Sequence, residues 1–248
     1  THPVAAERVE RITGKPAPLV VGDAADDAVV TAVFDEYGPI DAIIHLAAFK
    51  AVGESTQKPL EYYSNNLDTT FALLRVGIAR GIRSFVFSST GTVYSDPADL
   101  PFTEEATTSI DLSNAYSKSK RMNEVVLADV ARVNPDLNVT VLRYFNPVGA
   151  HPSGLIGEDP AGIPNNLMPF VSRVAIGTLD EIGVFGDDYD TPDGTGLRDY
   201  IHVVDLAEGH VVALEQSQPG HPVFNLGTGR PCTVRELAAS FYIADGLE

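Results

Sequence analysis

The chain has few of the residues that mark several large classes of protein. It contains one cysteine, Cys232, so no internal disulfide can form, and a reducing, cytoplasmic setting is expected. Lysine and arginine number 17 against 34 acidic residues, which gives a net charge of −17 and argues against a nucleic-acid-binding surface. No apolar run approaches the roughly 18 residues that a membrane span needs. We therefore expect neither nucleic acid nor a membrane as partner.

Metal-binding patterns are also missing. His45, His151 and His202 lack the spacing of metal ligands. The acidic loop Asp187–Asp193 could attract a cation, although a solvated loop is the simpler interpretation. The sequence predicts no metal site and a chemically inert Cys232.

What is present is an alternation of strand and helix patterns. The chain has 248 residues, 44% of them hydrophobic, which suffices for one large domain with a smaller lobe. Buried-type strands at Ile40–Leu46, Arg83–Ser89 and Asn138–Tyr144 are separated by helical patterns. This order predicts βαβ crossovers and therefore an α/β fold with a doubly wound parallel sheet, covered on both faces.

Shorter elements after Gly149 predict a smaller, mixed α/β lobe. We place the first domain at residues 1–149, rejoined by part of the later chain, and the lobe at residues 150–248. Further predicted elements are strands at Leu19–Asp23 and Ile182–Phe185 and helices at Val29–Tyr37, Pro59–Arg80, Ser113–Asn134 and Leu167–Ile176. In open parallel sheets ligands collect at the carboxyl ends of the strands.

Reactive side chains stand at such an end. One predicted strand ends at Ser88–Thr90. Tyr116 lies 22 residues after Tyr94, and Lys120 comes four positions after Tyr116. Residues at i and i+4 share a helix face, and a nearby cation favours ionisation of a phenol whose pKa is ordinarily about 10. The pattern predicts a base that works near neutral pH. Taken alone, the pattern fits better a surface pair on a helix and a strand end that satisfies its own turn.

Longer runs point to a family. They are His45–Ser55, Leu142–His151, Gly162–Pro169, Asp193–Asp205 and Phe224–Gly229, beside the run Tyr116-Ser-Lys-Ser-Lys120. With these runs the chain, over residues 1–241, resembles the extended short-chain dehydrogenase/reductases and, within them, the UDP-glucose 4-epimerases. The resemblance implies a Rossmann-like fold, bound NAD, a UDP-sugar substrate and a homodimer formed through the helices Pro59–Arg80 and Ser113–Asn134.

The same resemblance implies a mechanism. Tyr116 would take the proton of the sugar 4-hydroxyl while C4 gives a hydride to NAD. Thr90, where the family usually has serine, would bridge the 4-oxygen and Tyr116. Lys120 would bind the nicotinamide ribose and, with the positive nicotinamide, lower the tyrosine pKa. The 4-keto sugar would then turn about its pyrophosphate and take the hydride back on its other face.

Ligand contacts are likewise implied by resemblance. The cofactor-binding residues would be Asp23, Ala24, Leu46, Ala47, Ala48, Lys50, Asn65, Ser88, Ser89, Tyr116, Lys120, Tyr144 and Phe145. The substrate-binding residues would be Thr90, Gly91, Thr92, Tyr116, Tyr144, Asn146, Asn165, Asn166, Leu167, Val184, Phe185 and Arg198.

Alternatives stay open at this point. Asn165–Asn166 also fits a helix cap, and Arg198 with Asp199 also fits a structural ion pair. The enzyme could act on other UDP-sugars, such as N-acetylhexosamines or pentoses. A non-catalytic remnant that binds UDP without NAD is a further hypothesis.

The chain also departs from the family pattern. The family's opening strand, glycine-rich turn, helix and second strand would precede residue 1, and a further segment would follow Phe241. We expect an excerpt of a longer protein. Were the polypeptide only these residues, we would predict little NAD binding and no epimerase turnover, because the missing turn holds the dinucleotide pyrophosphate.

Overall fold

The structure, a computed structural model, describes residues 3–158, 164 and 166–244 of the chain. Its helices are α1 (Val4–Thr13), α2 (Asp27–Tyr37), α3 (Val52–Gln57), α4 (Pro59–Ala79), α5 (Ala115–Val133), α6 (Leu167–Ala175), α7 (Val203–Glu215) and α8 (Val234–Ala244). Its strands are β1 (Ala42–His45), β2 (Ser84–Ser88), β3 (Asn138–Tyr144), β4 (Asn146–Val148), β5 (Leu197–Arg198), β6 (Tyr200–His202), β7 (Val223–Leu226) and β8 (Cys232–Thr233).

The chain divides into two compact units. The first holds residues 18–144 and 207–226, and the second holds the described part of residues 1–17, 145–206 and 227–248. Within the described ranges, no helix combines the length and the apolar character needed to cross a membrane.

A four-stranded parallel sheet forms the centre of the first unit. Its strand order is β1-β2-β3-β7, and Ala42 pairs with Ser84, which in turn pairs with Asn138. Short apolar strands separated by helices cannot form hairpins, so each strand enters the sheet in the same direction. All of the strand C-termini therefore lie along one edge.

Both faces of β2 are buried. Phe85 and Phe87 point to one face and belong to a core cluster with side chains of α2, α4 and α5. Val86 lies on the opposite face and is also fully buried. On β7, Leu226 closely approaches Gly209 of α7. The predicted parallel sheet with flanking helices is confirmed.

The second unit has two small sheets. β4 and β6 pair in parallel, and β5 and β8 pair antiparallel. Helices α6 and α8 pack against each other. Among the helices described in this unit, only α7 is longer than α8, and α7 continues into the first unit.

Two predicted strands are wrong. Residues 19–23 and 182–185 form no strand, and Val21 and Phe185 are 84% and 92% exposed. A run of apolar residues becomes a strand only when another strand accepts its backbone hydrogen bonds, and none of the described strands lies beside either segment.

Candidate active site

The first turn of α5 carries the predicted base. Asn114 precedes the helix in an extended conformation, and its side chain accepts a hydrogen bond of 2.8 Å from the backbone N–H of Ser117. This cap fixes the start of the helix, so that Tyr116 lies in its first turn and Lys120 one turn later. Both residues thus share one face of α5, as the sequence predicted.

Lys120 is buried at the end of β2. Its side chain is 4% exposed, its Nζ donates to the carbonyl oxygen of Ser88 at 2.7 Å, and the Phe87 ring centroid lies 4.8 Å away. Burial lowers the pKa of Lys120 from 10.5 to about 8. An ammonium carries three N–H donors, and one hydrogen bond is recorded to it within the described ranges. The other donors fit the hydroxyl groups of a ribose.

Tyr116 differs from the sequence-based expectation. Burial raises its pKa to about 12, the nearby Tyr144 adds to the rise, and a hydrogen bond from Thr90 opposes it. Burial of the phenol outweighs the opposing effect of Thr90, so Tyr116 stays protonated near neutral pH in the protein chain alone. The expected basicity therefore requires positive charge from elsewhere.

Thr90 lies directly after β2 and begins a 3₁₀ turn, Gly91–Val93. Its hydroxyl oxygen accepts the backbone N–H of Thr92 at 3.2 Å and lies 3.1 Å from the Thr92 hydroxyl. Ser117 of α5 donates to that same Thr92 hydroxyl at 2.8 Å. The predicted residues Thr90, Gly91 and Thr92 thus lie beside the first turn of α5.

The two serines at the end of β2 have buried partners. The Ser88 hydroxyl lies 3.0 Å from Nε2 of His210 on α7, and the Ser89 hydroxyl donates to Glu124 of α5 at 2.5 Å. Tyr144, at the end of β3, has a pKa raised by burial and moderated by a hydrogen bond from Ser88. The sequence analysis did not assign His210 or Glu124.

The segment after β1 presents apolar surface. Leu46 is 61% exposed, Ala47 and Lys50 are exposed as well, and Ala48 is partly buried. The side chain of Asn66 accepts the N–H of Phe49 at 2.8 Å and donates to its carbonyl at 3.1 Å.

Asn66 therefore fixes the backbone of this segment. It is 1% exposed, and it also donates to the Ser119 hydroxyl of α5 at 2.9 Å. Its neighbour Asn65, the predicted cofactor residue, is partly buried and donates to Asn66 at 2.9 Å. Asn66 lies one helical turn after Tyr62 on the face that α4 buries, and this spacing was the signal that could have identified it.

Asp23 and Ala24 lie in an exposed turn before α2. The Asp23 carboxylate accepts the N–H of Ala25 at 2.9 Å, and its carbonyl accepts that of Asp26 at 3.1 Å. The turn presents these two predicted residues near the start of a helix.

Other predicted residues belong to the second unit. The backbone N–H of Asn146 donates to the carbonyl of Asp199 at 3.1 Å, and Phe145 is partly buried beside Gly227. Arg198 is exposed, and its guanidinium donates to the Leu197 carbonyl at 2.7 Å.

The predicted alternative of an Arg198–Asp199 ion pair is not formed. The Asp199 carboxylate instead accepts the N–H and hydroxyl of Thr228 at 2.9 and 2.7 Å and the N–H of Gly229 at 2.8 Å. This leaves the guanidinium exposed for an anionic ligand.

Asn166 precedes α6 without capping it. Its side chain donates to Glu158 at 2.7 Å, so the predicted cap is absent at this residue, while Asn165 lies outside the described residues. Leu167 is the first residue of α6. Val184 and Phe185 are 45% and 92% exposed in a loop. A large exposed aromatic ring is suited to stacking on a planar ligand.

The described ranges contain no cluster of three or more histidine, cysteine or carboxylate side chains that could hold a metal ion. Cys232 is partly buried, and burial raises the pKa of its thiol.

Comparison with known proteins identifies the family. Residues 2–227 match the NAD dependent epimerase/dehydratase family. A UDP-glucose 4-epimerase of Caenorhabditis elegans is 52% identical over 99% of this chain and 71% of its own length. The crystal structure of UDP-glucose 4-epimerase from Bifidobacterium longum in complex with NAD+ and UDP has a TM-score of 0.94 and 52% identity, over 100% of this chain and 73% of that one.

A second solved structure has the same TM-score. It is a UDP-glucose 4-epimerase from Stenotrophomonas maltophila with bound NAD and formylated UDP-arabinopyranose, 44% identical over 100% of this chain and 74% of its own. With a family match over most of the chain and relatives near half identity, this chain belongs to the NAD dependent epimerase/dehydratase family.

Proposed function

We propose that the protein is an NAD-dependent epimerase that interconverts UDP-glucose and UDP-galactose at C4. The observation that carries the proposal is the arrangement at the end of β2: Tyr116 and Lys120 on one face of α5, with Thr90 beside the first turn of that helix. The relatives named UDP-glucose 4-epimerase, at about half identity, support it.

Tyr116 moves the proton in this proposal. As a phenolate it accepts the proton from the 4-hydroxyl, and it returns the proton to O4 after the sugar has turned. Thr90 donates to the phenolate and thereby favours it. When bound, NAD supplies the hydride acceptor for C4 and the positive charge that favours the phenolate.

The residues present fit this cofactor. Lys120 has N–H donors left for ribose hydroxyls, and Leu46 presents apolar surface at the carboxyl edge of the sheet. We propose that NAD is held by Asp23, Ala24, Leu46, Ala47, Ala48, Lys50, Asn65, Ser88, Ser89, Tyr116, Lys120, Tyr144 and Phe145.

UDP would be held by groups of the second unit. The Arg198 guanidinium would form charge-assisted hydrogen bonds with the pyrophosphate, and Phe185 would lie against the uracil. Asn146, Asn165, Asn166, Leu167 and Val184 complete the proposed set, and Thr90, Gly91, Thr92 and Tyr144 of the first unit would contact the sugar.

The test is direct. The purified protein is incubated with UDP-galactose, UDP-glucose is followed by proton NMR, and the cofactor released on denaturation is measured by absorbance. Conversion with stoichiometric NAD supports the proposal, and absence of conversion with NAD bound contradicts it. UDP-N-acetylglucosamine and a UDP-pentose, run in parallel, separate the narrower from the broader specificity. Calorimetry with UDP and with NAD, each titrated alone, tests the alternative of a non-catalytic remnant, which would bind only UDP.

We also propose a homodimer formed through α4 and α5, in a cytoplasmic setting. The two helices leave an apolar groove of about 260 Å³, lined by residues that include Phe71, Ile78 and Val126. Light scattering would give twice the chain mass, and a single-chain mass would contradict the proposal.

A further inference from the structure

We propose that Ser117 and Thr92 are positioning residues that orient the Thr90 hydroxyl, so that it donates its proton toward the phenol oxygen of Tyr116. This inference rests on the proposed function for its catalytic meaning, although its geometry is independent of any substrate. It gives Thr92 a role other than sugar contact and gives Ser117 a role where none was assigned.

The hydroxyl groups form an uninterrupted series. Ser117 Oγ donates to Thr92 Oγ1 at 2.8 Å, and Thr92 Oγ1 lies 3.1 Å from Thr90 Oγ1. Thr90 in turn lies beside the first turn of α5, and its side chain acts to lower the pKa of the Tyr116 phenol. Ser117 and Thr90 are 1% and 7% exposed, so water competes little at these two positions.

The proposed arrangement gives each hydroxyl group one direction. A hydroxyl has one proton and two lone pairs. Thr90 Oγ1 already accepts the backbone N–H of Thr92 at 3.2 Å. Ser117 donates to Thr92, and in the proposed arrangement the Thr92 proton is donated to Thr90. Both lone pairs of Thr90 are then used, and its own proton is left for Tyr116.

The consequence concerns the base. A hydrogen bond donated to the phenolate favours the ionised form, and hydrogen bonds in series polarise one another. The pair Thr92 and Ser117 therefore keeps the phenol oxygen supplied with a donor before any ligand arrives. Such an arrangement opposes the effect of burial, which otherwise keeps Tyr116 protonated.

Other ionisable groups lie on α5 and on the elements around it. They are Lys118, Lys120, Arg121 and Glu124 on α5, Arg143 and Tyr144 on β3, His45 on β1, His210 on α7, Glu54 on α3, Lys58 before α4 and Tyr62 on α4. Most are held by partners: Lys120 by Ser88, Glu124 by Arg143, and Lys58 and Tyr62 by Glu54.

Two of the remaining groups stay uncharged near neutral pH. Burial lowers the pKa of His45 to about 3, and burial raises that of Tyr144. The residues Gly91–Val93 of the turn are themselves uncharged. Substituting a neutral hydroxyl in the series therefore changes the field at Tyr116 without changing any charge.

The chain offers a matched pair of variants. Thr92 is exposed, so Thr92→Val removes the hydroxyl at nearly constant shape and retains the N–H that bonds Thr90. Thr92→Ser keeps the hydroxyl and removes only the methyl group. Ser117→Ala removes the first donor while keeping a good helix former in α5.

The experiment titrates the phenol itself. Tyr116 is replaced by 3-fluorotyrosine, whose more acidic phenol titrates in a range the protein tolerates, and its single ¹⁹F resonance is followed against pH. We expect Thr92→Val to raise the midpoint by roughly half a pH unit. We expect Ser117→Ala to raise it by less, and Thr92→Ser to leave it unchanged. Thermal melting of each variant confirms that the fold is retained.

A midpoint unaltered in both Thr92→Val and Ser117→Ala overturns the inference, as does an equal shift in Thr92→Ser. Because this titration uses no sugar nucleotide, it fails separately from the proposed function. A shifted midpoint without UDP-galactose conversion leaves the positioning role and removes the epimerase. Conversion of UDP-galactose with an unshifted midpoint supports the epimerase and removes the positioning role.

Discussion

Glu124 and Arg143 form a two-point ion pair inside the first unit. Nε of Arg143 donates to Oε1 of Glu124 at 3.0 Å, and Nη2 donates to Oε2 at 2.8 Å. The side chains are 0% and 5% exposed. The same carboxylate accepts the Ser89 hydroxyl and the Arg121 guanidinium. The Glu124 carboxylate therefore joins α5 to the ends of β2 and β3 through hydrogen bonds.

Removing one partner should destabilise the protein strongly. Glu124→Gln leaves the Arg143 charge buried without its counter-ion, so we expect the free energy of unfolding to fall by about 3 to 5 kcal/mol in urea titrations. The control is Asp129→Asn, which breaks an ion pair with Arg132 on the same helix where the side chains are 63% and 73% exposed. Its unfolding midpoint should stay near that of the parent. Equal effects for the two variants would contradict a special role for the buried pair.

The buried ammonium of Lys120 should lower the free energy of unfolding of the protein. Its pKa is lowered from 10.5 to about 8, so between these values the unfolded chain binds more protons than the folded one, and stability rises with pH. Below pH 8 the cost of the buried charge is complete. We expect cofactor-free Lys120→Met to be more stable than the parent at pH 7, on the order of 3 kcal/mol.

The greater stability of Lys120→Met should diminish between pH 8 and 10.5 and disappear above pH 10.5. Comparing the two proteins at each pH cancels the titration of the other groups. Urea unfolding at pH 7, 9 and 10.5 gives the difference, and an advantage for Lys120→Met that is constant with pH would show that the ammonium is not desolvated.

Tyr116→Phe should abolish epimerisation while leaving nucleotide binding intact. The substitution removes the proton acceptor and keeps the ring, so turnover should fall far more than tenfold, a factor equivalent to about 1.4 kcal/mol in the barrier. UDP affinity, measured by calorimetry, should be unchanged. Turnover within tenfold of the parent would mean that another group is the base.

Asp199→Asn should loosen the turn that follows β7. An amide cannot accept all of the hydrogen bonds from Thr228 and Gly229 that the carboxylate accepts, and hydrogen bonds to a charged group contribute about 1.5 to 3 kcal/mol. We expect amide exchange at these two residues to accelerate about tenfold or more in NMR experiments.

Asp190→Asn removes the same charge from an exposed loop position and serves as the control. Unchanged amide exchange in Asp199→Asn, or equal acceleration in Asp190→Asn, would show that the Asp199 carboxylate does not hold this turn.

Local patterns sufficed for most of the fold. The strands Ser84–Ser88 and Asn138–Tyr144 and the helices at Pro59–Ala79 and Ala115–Val133 follow from periodicity and end signals that are contained in their own sequence. The segment at residues 19–23 has the same apolar character and forms no strand, because strand formation depends on a neighbour that the segment does not encode.

The site was predicted less completely, for a related reason. The spacing of Tyr116 and Lys120 places them on one helix face, but the pKa of each depends on burial, which the whole fold sets. Asn66 and Glu124 act through partners 17 and 19 residues away in sequence. No short motif reveals such pairings.

The anchor of Lys120 is a main-chain oxygen. Every amino acid at position 88 presents the same carbonyl, so no single substitution there can delete the acceptor that holds the ammonium. A substitution that fits this fully buried position changes the contacts of the Ser88 hydroxyl with His210 and Tyr144 and retains the carbonyl. Small substitutions at position 88 can therefore change the side-chain chemistry of the strand end while the backbone still holds the ammonium.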